Sequence, residues 1–147
     1  MQEKFYTKQL YPLQDDVLKL VESENTSFYL GGGTALSRHY LDHRFSDDLD
    51  FFQNDSDDFK KDATQIINSL KSRYTENCSV TLLEEKFVRI FVKKDNFSLK
   101  IEMINDVPFH HENFVKGSIF NRIDSWQNIL SNKVSALQRN EPKDIAD

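Results

Sequence analysis

The feature that most constrains this chain is the triple glycine Gly31-Gly32-Gly33, set between the apolar run Phe28-Tyr29-Leu30 and a helical-looking segment from Thr34 to Leu41. Side chains are absent at three consecutive positions, so backbone N–H groups and a helix N-terminus can approach phosphate oxygens that a β-carbon would keep away. The stretch therefore reads as strand, turn and short helix, with a place for an anion at the turn. Thr34 is the natural cap of that helix.

An acidic pair, Asp48 and Asp50, follows the turn and leads into Phe51-Phe52. On a strand, a two-residue spacing points both carboxylates to one face. Two like charges about 4 Å apart repel by roughly 4 kcal/mol at an intermediate effective dielectric, so folding alone gives little reason to align them. Mg²⁺ or Mn²⁺ removes that repulsion and uses the oxygen ligands. The plainer alternative is that Asp47, Asp48, Asp50, Asp55, Asp57 and Asp58 form one acidic surface loop turned by the glycines.

Periodicity supplies the frame. Leu10, Leu13, Val17, Leu18 and Val21 recur at helical spacing, and Phe59, Ala63, Ile66, Ile67 and Leu70 make a second apolar stripe that Asp57 or Asp58 can cap. Val80 to Leu83, Phe87 to Val92 and Phe97 to Ile104 read as antiparallel strands joined by turns at Glu85-Lys86 and Lys93 to Asn96. In the last strand Leu99, Ile101 and Met103 face one way and Lys100 and Glu102 the other. Glu102 is then either an ordinary solvated strand residue or the third member of a metal-binding trio with Asp48 and Asp50.

Ser125 can cap a last long helix with Trp126, Ile129, Leu130, Lys133, Val134 and Leu137 along one side. Lys133 is the odd member of the stripe, fitting either a snorkelling lysine or an ammonium held against a triphosphate. Glu141-Pro142 interrupts this helix, and Lys143 to Asp147 begins another turn as the chain stops. Truncation of something longer is one reading of that ending.

At 147 residues, with twelve Phe, five Tyr and one Trp, the chain can bury one substantial core, and we expect one compact unit with a helical end. A formal charge of −5 argues against a general basic surface for gripping duplex nucleic acid, although Lys133, Arg139 and Lys143 cluster near the end. Cys78 is the only cysteine, which excludes an intrachain disulfide and a cysteine zinc site. His39, His43, His110 and His111 have no zinc spacing. The residues after Met1 lack the apolar core of a signal peptide, and there is no run of eighteen apolar residues. The expected compartment is the cytoplasm, without a membrane partner.

Together, Gly32-Gly33-Thr34-Ala35-Leu36, His43-Arg44-Phe45-Ser46-Asp47-Asp48-Leu49-Asp50-Phe51, Lys133-Val134-Ser135-Ala136-Leu137-Gln138-Arg139 and Lys143-Asp144-Ile145-Ala146-Asp147 resemble the signature of the AbiEii/AbiGii-type nucleotidyltransferase toxins, within the DNA polymerase beta-like nucleotidyltransferase superfamily. The resemblance runs from about Phe28 to Asp147. It implies an α+β (α/β) fold, a mixed central sheet flanked by helices, with a core over residues 1–122 and a C-terminal helical segment over 123–147. Asp48, Asp50 and Glu102 become metal ligands, and with Lys133 and Asp144 they form the catalytic set. Gly32, Gly33, Thr34, Arg44, Ser46 and Lys133 become the nucleotide-contacting residues. Glu102 departs from the aspartate usual at the third acidic position.

The resemblance further implies Mg²⁺ or Mn²⁺ as cofactor, an NTP as substrate, RNA as the foremost acceptor and an antitoxin protein as partner. Two alternatives stay open at this point: transfer to a small molecule of the antibiotic type, and a catalytically silent nucleotide-binding or antitoxin-binding remnant.

Overall fold

The computed structural model describes residues 2–41, 47–107 and 114–130. Five strands form one sheet: β1 (Tyr29–Gly31), β2 (Leu49–Asn54), β3 (Cys78–Leu83), β4 (Phe87–Lys94) and β5 (Phe97–Asp106), in the spatial order β1-β2-β5-β4-β3. The β3-β4-β5 meander is antiparallel, as the short turns between its strands require, and β1 is antiparallel to β2. Among these five strands only β2 and β5 run parallel, with Asp50 opposite Glu102. The sheet is therefore mixed, and the parallel seam between β2 and β5 carries both acidic residues.

Helices cover one face. Residues Gln2–Phe5 (α1) continue through a π-type stretch, Tyr6–Leu10, into α2 (Tyr11–Ser23), with Pro12 in the first turn, where its missing N–H costs nothing. A short helix, α3 (Gly32–Thr34), opens into a second π-type stretch, Ala35–Leu41, and α4 spans Phe59–Tyr74. Leu13, Val17, Leu18 and Val21 of α2 and Phe59, Ala63, Ile66, Ile67 and Leu70 of α4 join Leu49, Phe51, Val88, Ile90, Leu99, Ile101 and Met103 of the sheet in one buried core. Burial of each such side chain stabilises the fold by roughly 1.5–3 kcal/mol. Asp16 of α2 clamps the pair from outside, accepting hydrogen bonds from Arg73 Nε at 2.7 Å and from the Tyr74 hydroxyl.

Two expected caps take other roles. Neither Thr34 nor Asp58 makes a side-chain cap: α3 starts at Gly32, and ahead of α4 the Ser56 hydroxyl accepts from the Asp58 N–H at 3.2 Å. Ser125 does cap, accepting from the Asn128 N–H at 3.2 Å at the start of the helical residues 126–130. In that helix Ile129 is buried while Trp126 and Leu130 are exposed, so the expected apolar stripe breaks. The inward positions are taken by Ser125 and Asn128, which bind the buried Asp124.

The segment before this helix extends the sheet beyond β1. Ile123 forms a parallel bridge with Leu30 and an antiparallel one with Val115. Leu30 N–H donates to the Arg122 carbonyl at 2.9 Å, and Asp124 N–H to the Leu30 carbonyl at 2.8 Å. Among the described residues no helix is long and apolar enough to cross a membrane.

Candidate active site

The site is built where β1 ends. Gly32 has φ +68°, in the left-handed region that a Cβ disfavours, and a Cβ there would land on the Asp50 carboxylate. A Cβ on Gly31 would stand 2.8 Å from Phe52 Cε2. Both glycines therefore make room for the neighbouring strand, a reason that sits beside the anion-binding one read from sequence.

The residues leading into β2 are pinned from several sides. The Thr34 hydroxyl donates to the Asp48 carbonyl, which ties the glycine turn to the acidic segment. Tyr6 donates its hydroxyl to Asp47 Oδ1 at 2.5 Å, and Gln14 Nε2 reaches the Asp47 carbonyl at 3.4 Å. Asp48 precedes the strand and Asp50 lies within it, opposite Gly31 on one side and Glu102 on the other. Alternation leaves Leu49 and Phe51 fully buried beneath them.

Glu102 stands on the same sheet face as Asp50, because residues paired in register share a face. It is nearly buried, at 9% exposure, and accepts a hydrogen bond from Arg89 Nε at 2.8 Å; Arg89 lies directly opposite it on β4. Two residues earlier on β5, Lys100 places Nζ 3.3 Å from Asp48 Oδ2. Burial raises the Asp48 pKa above the ordinary aspartate value; Lys100 pulls the other way, and the negative charges of Asp47 and Glu102 add to the rise.

The structure thus brings together Gly32, Thr34, Asp48, Asp50 and Glu102, with Gly33 in the same turn of α3. Arg44, Ser46, Lys133 and Asp144 lie outside the described residues, as do His43, His110 and His111. Three neighbours carry no motif: Arg89, Lys100 and Asp124. Asp124 is buried, accepts from Asn128 Nδ2 at 2.8 Å and from the Ser125 N–H at 3.0 Å, and would lie 3.6 Å from a Cβ on Gly31. After burial itself, its charge is the next cause raising the Tyr29 and Tyr40 hydroxyl pKa values. The one sequence signal for it is its place just before the capping Ser125.

The donor chemistry of Asp48, Asp50 and Glu102 suits a hard divalent cation, since all three offer carboxylate oxygens. They are not gathered into a ready cage: among the described residues no group of three or more His, Cys, Asp or Glu is set to hold a metal ion. Two of the three carboxylates are turned instead onto Lys100 and Arg89.

A mixed sheet with helices on one face, and a glycine turn beside acidic residues at its parallel seam, is the core of the polymerase beta-like nucleotidyltransferases. Within that class the chain belongs to the AbiEii family, described as nucleotidyl transferase AbiEii toxin of type IV toxin–antitoxin systems, whose profile matches residues 19–147. Among solved structures, JHP933 from Helicobacter pylori matches with a TM-score of 0.63 at 20% identity, over 87% of this chain and 57% of its own. MenT4, a nucleotidyltransferase toxin from Mycobacterium tuberculosis, matches with a TM-score of 0.61 at 16% identity, over 86% of this chain and 51% of its own. At such identities the likeness is one of fold, and the chain spans between half and three fifths of these relatives. No curated protein matches significantly.

Proposed function

We propose that this chain carries the catalytic centre of a metal-dependent nucleotidyltransferase that moves a nucleoside monophosphate from an NTP to an acceptor, RNA, as the toxin of a toxin–antitoxin pair in the cytoplasm. Family membership supports the reaction class. The observation that carries the site is the pairing of Asp50 with Glu102 across the parallel seam, with the Gly31-Gly32 turn on the other side of Asp50.

Asp48, Asp50 and Glu102 are the residues that would hold Mg²⁺ or Mn²⁺, and such an ion supplies charge stabilisation on the phosphoryl oxygens during in-line displacement. The glycine turn would offer backbone amides to the triphosphate, Thr34 fixes the acidic segment against that turn, and Glu102 would help position or activate the acceptor hydroxyl. Arg44, Ser46, Lys133 and Asp144 complete the nucleotide contacts in this reading. Of the segment assigned to the C-terminal helical part, residues 126–130 are helical, and an antitoxin is the protein partner in this reading.

Labelled NTPs incubated with total RNA, and separately with aminoglycosides, test this reading. The expected product is labelled RNA, formed with Mg²⁺ or Mn²⁺ and reduced at least a hundredfold in Asp48→Asn and Asp50→Asn at equal folded protein. Label on the aminoglycoside alone would move the acceptor to the small-molecule class, and nucleotide binding without transfer to any acceptor would make the chain a silent relative.

A further inference from the structure

Two cations on the acidic face lie outside every motif. Lys100 rises from β5 on the same face as Glu102, with Nζ 3.3 Å from Asp48 Oδ2, and Arg89 rises from β4, with Nε 2.8 Å from Glu102 Oε2. The Arg89 guanidinium also sits 5.3 Å from the Phe87 ring centroid, which holds it to the sheet. Lys100 thus meets Asp48 and Arg89 meets Glu102, with Asp50 in register beside Glu102.

Carboxylates in neighbouring register positions repel, and a chain must fold before it can hold an ion between its strands. The two pairs differ in how firmly they are made. Arg89 Nε stands 2.8 Å from a Glu102 carboxylate that is 12% exposed, a short charge-assisted bond, whereas Lys100 Nζ stands 3.3 Å from an Asp48 carboxylate that is 40% exposed and more open to water. Lysine carries a compact charge on a flexible stem, so its ammonium can leave without moving the strand.

We propose that Lys100 is a built-in counter-ion that occupies the cation's place at Asp48, so that a divalent ion enters by displacing it, while Arg89 stays as the fixed partner of Glu102. This inference rests on the reading of Asp48, Asp50 and Glu102 as metal ligands.

The test uses Mn²⁺ alone, with free ion counted by electron paramagnetic resonance, on the parent chain, Lys100→Met and the double variant Lys100→Met/Asp48→Asn. Removing a positive charge beside a divalent ion should tighten Mn²⁺ binding about tenfold in Lys100→Met, and the gain should vanish in the double variant. Equal or weaker binding in Lys100→Met, with its fold verified by circular dichroism, overturns the counter-ion role while leaving the transferase reading standing. A gain that persists without the Asp48 carboxylate overturns it equally. Absence of Mn²⁺ binding in all three proteins would remove the metal reading and this inference together.

Discussion

The two faces of the central sheet are made by the same strands and do opposite work. On one, Leu49, Phe51, Leu99, Ile101 and Met103 are fully buried against α2 and α4. On the other, Asp50, Lys100 and Glu102 alternate with them and hold their places through ion pairs and register. A single residue of slip in β2 or β5 would exchange the two sets. The apolar face therefore fixes the register that brings Asp50 beside Glu102, and stability and chemistry are separate properties of one alternation.

The sharpest way to break this division is Phe51→Ala. Phe51 is fully buried and touches the edge of the Phe120 ring, so its loss should destabilise the fold by about 3–5 kcal/mol in denaturant titrations. A cost below about 1 kcal/mol would mean that the apolar face does not carry the fold.

Gly32→Ala should act on both faces at once. Its positive φ and the Asp50 carboxylate in the way of a Cβ predict a loss of about 1–3 kcal/mol together with a displaced Asp50. Transfer activity, normalised to folded protein, should fall as well; an active, equally stable variant would show that the turn tolerates a side chain.

The smallest effect concerns pH. Asp48 has a raised pKa in the folded chain, so the folded state binds its proton more tightly than the unfolded state does. The Asp48 contribution to stability is then greatest in acid and declines as pH rises from the ordinary value of 3.8 through the raised one. Thermal melts across that window should show the parent losing ground relative to Asp48→Asn as pH increases. Parallel curves would show that burial of this carboxylate has no energetic consequence.

Legibility followed the same division. The stripes of α2 and α4, the meander strands and the facing of Glu102 were readable because burial imposes periods of 3.6 and 2 on the sequence. Local hydrogen bonding was not readable. Thr34 bonds the Asp48 carbonyl instead of capping a helix, and Asp58 yields to Ser56, because a hydroxyl or carboxylate selects among partners that tertiary packing brings near. Arg89 and Lys100 were unreadable as counter-ions, since an exposed-face cation on a strand looks the same whether it meets water or a carboxylate.

The parallel seam between β2 and β5 also sets a schedule. Asp50 and Glu102 are neighbours in space, yet α4, β3 and β4 lie between them along the chain. Closing such a long loop is entropically slow compared with forming the local helices and the meander hairpins. A growing chain that has completed only α4 holds Asp48 and Asp50 without their partner strand. The acidic centre is therefore complete only once β5, the last of the five strands along the chain, has paired with β2.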